Sequence, residues 1–85
     1  MAGTRKDLRI SAALGARIIE RRQDAEMSQR ALAAEAEISK SQVAHLEAGD
    51  NAPSVERLYQ IARALGCAAG DLLPSFEDLD AWEVV

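Results

Sequence analysis

Apolar residues recur along the chain with the spacing of amphipathic helices, and the segments between them carry residues that begin or end helices. Leu14 and Ile18 lie four residues apart, so they would share one face of a first helix. Gly49, Gly66 and Pro74 stand where three later segments should end. The pattern predicts five helices, over about residues 11–24, 28–36, 39–48, 55–65 and 68–73.

Residues 27–49 predict two short helices joined by a tight turn. Ser28 and Ser39 are favourable N-cap residues, and Gln42, three residues after Ser39, would complete a capping box. Ala33 is a small residue at the point where two crossed helices would approach closely. Apolar residues that can meet around the turn are Leu32, Ile38, Val43 and Leu46. This pattern predicts a helix-turn-helix, a unit that usually reads DNA.

A loop and a fourth helix should follow Gly49, and Ser54 stands where that helix would be capped. The apolar residues of the fourth helix repeat at helical spacing and predict one buried face. They are Val55, Leu58, Ile61, Ala62 and Leu65.

The C-terminal segment, residues 75–85, combines acidic residues with large apolar ones. Phe76, Leu79 and Trp82 recur every three residues, which can place them on one face of a helical turn. A cluster of such side chains is unfavourable in water. We therefore expect them either to cover the fourth and fifth helices of their own chain or to pack on a second subunit.

Charge is distributed unevenly along the 85 residues. Residues 1–63 contain all ten Lys and Arg residues and nine of the fourteen acidic residues, whereas residues 64–85 carry acidic charge only. Contact with phosphates therefore belongs to the N-terminal part of the chain. We divide the chain into a polar and basic leader (1–10), a helical domain (11–74) and an acidic, apolar tail (75–85). The leader is expected to be solvated, and the alternative is an arm that touches DNA.

The composition also excludes several classes of protein. No apolar run approaches the roughly 18 residues that cross a membrane, and the basic N-terminus lacks the apolar core of a signal peptide. A single cysteine, Cys67, cannot form an intramolecular disulfide, so we expect a packing residue and a reducing cytoplasm. With His45 as the only histidine, we expect no catalytic nucleophile, no cofactor and no metal site.

Residues from every predicted helix match one known pattern. They are Leu14, Gly15, Ile18, Arg22, Ser28, Gln29, Leu32, Ala33, Ile38, Ser39, Val43, Leu46, Glu47, Gly49, Pro53, Ser54, Leu58, Ile61, Ala62, Ala64, Leu65, Gly66, Leu72 and Leu73. With them, the chain resembles a phage repressor/Cro-type DNA-binding domain of the XRE-like family. The resemblance implies an all-α, five-helix, lambda-repressor-like helix-turn-helix domain, here with a short C-terminal extension.

The chain departs from the family pattern at a few positions. Glu37 and Glu26 stand where relatives commonly have glycine. At Glu37 the family often needs a left-handed backbone, which would cost a non-glycine residue about 1 kcal/mol. The loop at Asp50 and Asn51 lacks the basic residues that many relatives direct at phosphates.

The resemblance also implies roles for individual side chains, with the third helix in the major groove of DNA. Expected base contacts are Lys40, Ser41, Gln42 and His45. Expected phosphate contacts are Gln29, Ser39, Arg22 and Asn51. Two of these roles have open alternatives, because Ser39 and Gln42 could serve only as helix caps. Arg22 and Glu47 match a family pair that bridges the first helix to the end of the third.

Two functions fit these observations. The first is a transcriptional regulator, and more specifically a repressor, that binds double-stranded DNA in a sequence-specific manner. It would bind as a homodimer to two half-sites that lie about 34 Å apart. The alternative is a protein-interaction module, such as an antitoxin or a regulatory subunit, that uses the same helices. The short polar and basic residues on the outer face of the third helix favour the DNA reader, since a protein-binding groove would be more apolar.

Overall fold

A computed structural model describes residues 8–81, and all regular structure within them is helical. The helices are α1 (Leu8–Asp24), α2 (Gln29–Ala36), α3 (Lys40–Glu47), α4 (Val55–Leu65) and α5 (Phe76–Ala81), with a 3-10 helix (Ala69–Leu72) between α4 and α5. The predicted all-α, five-helix class is confirmed. None of the helices in residues 8–81 has the length and apolar character needed to cross a membrane.

Serine side chains fix where the middle helices begin. The hydroxyl oxygens of Ser28, Ser39 and Ser54 each accept a hydrogen bond from the backbone N–H three residues later, at distances of 3.0–3.1 Å. Each bond satisfies one of the N–H groups that a helix start leaves without a partner. The predicted starts of α2, α3 and α4 are therefore confirmed to within a residue.

Two helix boundaries differ from the prediction. Helix α1 begins at Leu8 rather than near Ser11, so part of the predicted leader is helical. The predicted fifth helix is only the 3-10 turn, because Gly70 lies inside it and Pro74 follows it closely. A separate helix, α5, begins in the predicted tail, where Ser75 and Asp78 bond to each other's backbone N–H groups in a capping box.

The core lies where α1, α2, α3 and α4 converge and is closed by the 3-10 helix. Its largest fully buried side chains are Ile18, Leu32, Ile61, Leu72 and Val43. Ile38 and Cys67 pack against this cluster while remaining half-buried. Burial raises the pKa of the Cys67 thiol, so this environment favours the neutral thiol over the reactive thiolate.

Helices α1 and α3 approach each other closely at Gly15. A Cβ atom at this position would lie 2.6 Å from the Leu46 carbonyl oxygen and 2.7 Å from that of Glu47. Both atoms belong to the backbone and cannot rotate away. Only glycine therefore permits this spacing of α1 and the end of α3.

The predicted apolar face of α4 is correct for Leu58, Ile61 and Ala62, which are buried. It is wrong for Val55, whose side chain is 70% exposed. Val55 occupies the first turn of α4, directly after the Ser54 cap, and that turn projects beyond the core. Tyr59, one turn later, is also exposed.

Candidate nucleic-acid interface

Helix α3 has one buried face and one polar, exposed face. Val43 and Leu46 are buried against the core. The four predicted base-contact residues are all exposed: Lys40, Ser41, Gln42 and His45. This arrangement displays on the outside a cation, a hydroxyl, an amide and an imidazole, which can form hydrogen bonds to base edges.

The first turn of α3 is held by a reciprocal capping box. The Gln42 backbone N–H donates to Ser39 Oγ at 3.1 Å, and the Ser39 backbone N–H donates to Gln42 Oε1 at 2.8 Å. Both side chains therefore have the capping role that the sequence left open. Their contacts with DNA stay predictions, and Gln42 keeps its amide N–H groups as donors for a base.

An ion pair joins α1 to the end of α3, as the resemblance to the family implies. Arg22 Nε donates to Glu47 Oε2 at 2.6 Å, and Arg22 Nη2 donates to Glu47 Oε1 at 3.1 Å. Two further contacts complete the network, because Arg22 Nη1 donates to the Met27 carbonyl oxygen and Gln29 Nε2 donates to Glu47 Oε1. We call this set, Arg22, Met27, Gln29 and Glu47, the α1–α3 clamp.

The clamp changes the picture of two predicted phosphate contacts. Arg22 uses three nitrogen atoms inside the protein, and its side chain is only 15% exposed. Gln29 lies at the first position of α2, where its backbone N–H and one side-chain N–H can still face a phosphate. The clamp therefore gives Arg22 a structural role inside the protein. The phosphate contacts of Arg22 and Gln29 stay predictions.

His45 and Asp50 form a second polar pair near the same, C-terminal end of α3. His45 Nδ1 lies 2.8 Å from Asp50 Oδ2, and both side chains are more than half exposed. Asp50 belongs to the loop after α3, so this contact connects the outer face of the helix to that loop. Of the two residues, only His45 was expected to contact DNA, and the contact between them was not predicted.

A cleft beside α3 adds a residue that the sequence analysis missed. His45, Asn51 and Arg57 line it together with Gln42, Leu46, Pro53 and Ser54. Arg57 comes from the first turn of α4 and supplies positive charge on the side where the loop has none. The position of Arg57 could have been predicted from the sequence, because the Ser54 cap places residue 57 in the helical turn next to this loop.

For the apolar residues of the tail, the sequence left two alternatives, which are packing on the fourth and fifth helices of the same chain and packing on a second subunit. Helix α5 packs mainly on α1. Arg17 of α1 donates through Nη2 to Asp78 Oδ2 at 2.6 Å and through Nη1 to the Asp71 carbonyl oxygen at 3.1 Å. Leu79 is half-buried, whereas Phe76 is 87% exposed. Trp82 lies outside the described residues.

A short capped helix, buried on one side, polar on the other and clamped to its neighbours, defines a helix-turn-helix DNA-binding domain. A family model described as helix-turn-helix matches residues 18–72, which is more than half of the chain. The chain therefore belongs to this helix-turn-helix family, of the XRE type, and the resemblance seen in its sequence is confirmed. No curated protein matches the chain significantly.

Solved structures of bacterial and phage regulators are similar to this chain. The restriction-modification controller protein C.AhdI from Aeromonas hydrophila is 27% identical, with a TM-score of 0.72 over 74% of this chain and 96% of its own. The clp gene regulator ClgR from C. glutamicum is also 27% identical, with a TM-score of 0.72 over 95% and 99% of the two chains. The P22 c2 repressor, solved with synthetic operator 9T, is 30% identical, with a TM-score of 0.67 over 71% and 91%.

These comparisons agree with one another and with the geometry of α3. The matched family and these relatives are DNA-binding regulators rather than enzymes. The chain is a DNA-binding transcription regulator.

Proposed function

We propose that the chain is a sequence-specific repressor that reads the major groove of an operator with α3 and binds two half-sites as a homodimer. The exposed polar face of α3 is the observation that supports this proposal most directly. It lies opposite a buried face, and its first turn is held by the Ser39–Gln42 capping box. Operator DNA in the cytoplasm is the proposed partner.

The side chains divide into two proposed roles. Base edges are contacted by Lys40 and Ser41 at the start of α3, with Gln42 beside them and His45 one turn later. Phosphates are contacted by Gln29, Ser39 and Asn51, with Arg57 added from the adjacent cleft and a lesser role for Arg22. Phosphate contacts fix the position of the domain, and base contacts select the sequence.

Binding of variants to cognate and scrambled duplexes tests this division. Lys40→Ala should cost about 1–3 kcal/mol on a cognate site selected from a random pool, and much less on scrambled DNA. Gln29→Ala should weaken binding to both duplexes by a similar factor. Equal losses for Lys40→Ala on both duplexes would make Lys40 a phosphate contact. A parent chain that selects no sequence would contradict the proposal.

The homodimer is supported by exposed apolar residues on the side of the molecule formed by the 3-10 helix and α5. Phe76 is 87% exposed and Leu73 is 47% exposed. A second subunit would remove them from water. A dimer also doubles the number of bases read, which a single helix-turn-helix needs for useful specificity.

Sedimentation of a Phe76→Ser variant tests the position of the interface. We expect a monomer with much weaker operator binding but an unchanged fold, because Phe76 is 87% exposed in its own chain. Tyr59→Ser is the matched control, since it removes an exposed aromatic ring from α4 instead. Loss of the dimer in the control alone would place the interface on α4.

A protein-interaction module, such as an antitoxin or a regulatory subunit, is the second candidate. Exposed Val55 and Tyr59, one turn apart on α4, favour it. This surface is separate from the polar face of α3, so a protein partner could bind there while α3 is on DNA.

A further inference from the structure

The contact between His45 and Asp50 determines which nitrogen of the imidazole carries a proton. His45 Nδ1 and Asp50 Oδ2 are 2.8 Å apart, within hydrogen-bond distance. An ionised carboxylate can only accept hydrogen bonds, so the bond requires a proton on Nδ1. In a neutral imidazole, the second nitrogen, Nε2, is then an acceptor.

This chemistry has a consequence for base selection, because His45 lies on the exposed face of α3. In the major groove, the base-edge donors are the amino groups of adenine N6 and cytosine N4, whereas guanine and thymine present acceptors. An acceptor at Nε2 matches only an amino group. Placed against guanine O6 or N7 or thymine O4, it would face another acceptor.

We propose that Asp50 is a positioning residue that holds His45 in the Nδ1–H form and thereby favours, on the DNA strand that His45 contacts, a base with a major-groove amino group, adenine or cytosine, over guanine or thymine at that position. This inference rests on the proposed function, in which α3 enters the major groove. It assigns a specificity role to Asp50, an acidic residue that would otherwise only repel phosphates.

The charged groups that face His45 come from two elements. Asp50 in the loop after α3 contacts the ring directly, and Arg57 of α4 lies across the shared cleft. Gln42, one turn earlier on α3, lines the same cleft as a neutral amide. Protonation of the ring would convert Nε2 into a donor and reverse the preference toward guanine. The proposed preference for a base with an amino group therefore applies only while the imidazole ring is neutral.

Nitrogen-15 NMR of the imidazole in the DNA-free chain tests the first half of the proposal. At about pH 8, where an ordinary histidine is neutral, the parent chain should show its proton on Nδ1. Asp50→Ala removes the acceptor, so the proton should redistribute toward Nε2. A parent chain with the proton on Nε2, or with both nitrogens protonated, would overturn the proposal. This measurement needs no operator and is independent of the proposed function.

Selection from a random pool of duplexes tests the second half. The parent chain should prefer adenine or cytosine by about tenfold or more at one position of each half-site. Asp50→Ala and His45→Ala should each lose most of that preference at the same position and keep the preferences elsewhere. The double variant should lose no more than either single variant, because both residues act through one contact.

Glu56→Ala is the matched control, since it also removes one exposed negative charge but lies outside the cleft. It should keep the preference while changing overall affinity by a factor similar to that of Asp50→Ala. Guanine or thymine at the position read by His45 would overturn the inference while leaving the DNA reader intact. A parent chain without any sequence preference would instead overturn the proposed function.

Discussion

Among the arginines of helix α1 that pair with carboxylates on later elements, Arg22 and Arg17 make the two shortest contacts, and these differ in their surroundings. Arg22 contacts Glu47 at 2.6 Å, with side chains that are 15% and 5% exposed. Arg17 contacts Asp78 at the same distance, with side chains that are 36% and 41% exposed. The distance is the same, whereas water surrounds only the second pair.

Burial makes the first contact costly to break and the second nearly dispensable. Removing one partner of a buried pair leaves a charge without compensation, whereas exposed pairs contribute little because water replaces them. The α1–α3 clamp also includes Gln29 and the Met27 carbonyl oxygen, so its groups depend on one another. Helix α3 is therefore fixed to α1 much more firmly than α5 is.

The most damaging change to the α1–α3 side should be Gly15→Ala. Its methyl group would lie within 3 Å of two backbone carbonyl oxygens, so α1 and α3 must move apart. We expect a loss of about 3 kcal/mol or more in the free energy of unfolding. Chemical denaturation measures the loss. Ala13→Gly, a change of equal size elsewhere in α1, is the control for helix propensity, and a smaller loss for Gly15→Ala would contradict the close approach.

Glu47→Ala should cost about 2–4 kcal/mol, because it leaves Arg22 largely buried without its carboxylate. Operator binding should weaken as well, since the end of α3 loses its connection to α1. Melting curves and binding to a selected duplex check the two effects together. An unchanged melting temperature with full binding would show that burial does not distinguish this pair from Arg17–Asp78.

Glu37→Gly should stabilise the chain by up to about 1 kcal/mol. Glu37 follows α2 with a φ of 60° and a ψ of 43°, in the left-handed region where glycine has no Cβ penalty. This gain would show that the helix-turn-helix side, although tightly clamped, is strained at its turn. Glu35→Gly, within α2, should instead destabilise. Chemical denaturation of both variants checks the sign.

Asp78→Ala should have the smallest effect, confined to the attachment of α5. The backbone N–H of Ser75 lowers the pKa of Asp78, with smaller contributions from the Ser75 hydroxyl and Arg17. A lowered pKa means that the contact stabilises the fold above the ordinary value of 3.8 and is lost as pH falls below it. Amide NMR signals of α5 should shift in acid before those of α3. Loss of both helices at the same pH would contradict the conclusion that α3 is fixed to α1 more firmly than α5 is.

Helix α1 is attached to the end of α3 and to α5, and the sequence predicts the first attachment better than the second. The helix caps follow from residue types at recognisable positions, and the pair Arg22–Glu47 is implied by the resemblance to the family. For the tail, the spacing of the apolar residues indicated only that a helical turn was possible. The capping-box spacing of Ser75 and Asp78, which begins α5, was not recognised. The exposure of Phe76 could not be read from spacing, since it depends on how α5 turns relative to α1.

The same limit applies to the candidate site. The outer face of α3 follows from helical periodicity, so its exposed residues could be named in advance. The His45–Asp50 contact and the position of Arg57 depend on the path of the loop between α3 and α4. That loop has no periodicity, and only the structure places its side chains.

The Ser39–Gln42 capping box has a consequence for the thermodynamics of binding. Because the first turn of α3 is already formed in the DNA-free chain, association does not include the ordering of that turn. The heat-capacity change should then match the apolar surface buried at the interface, without the additional negative contribution of coupled folding. Calorimetry over a range of temperatures measures this heat-capacity change. The additional negative contribution should appear only when Ser39→Ala and Gln42→Ala remove the capping box.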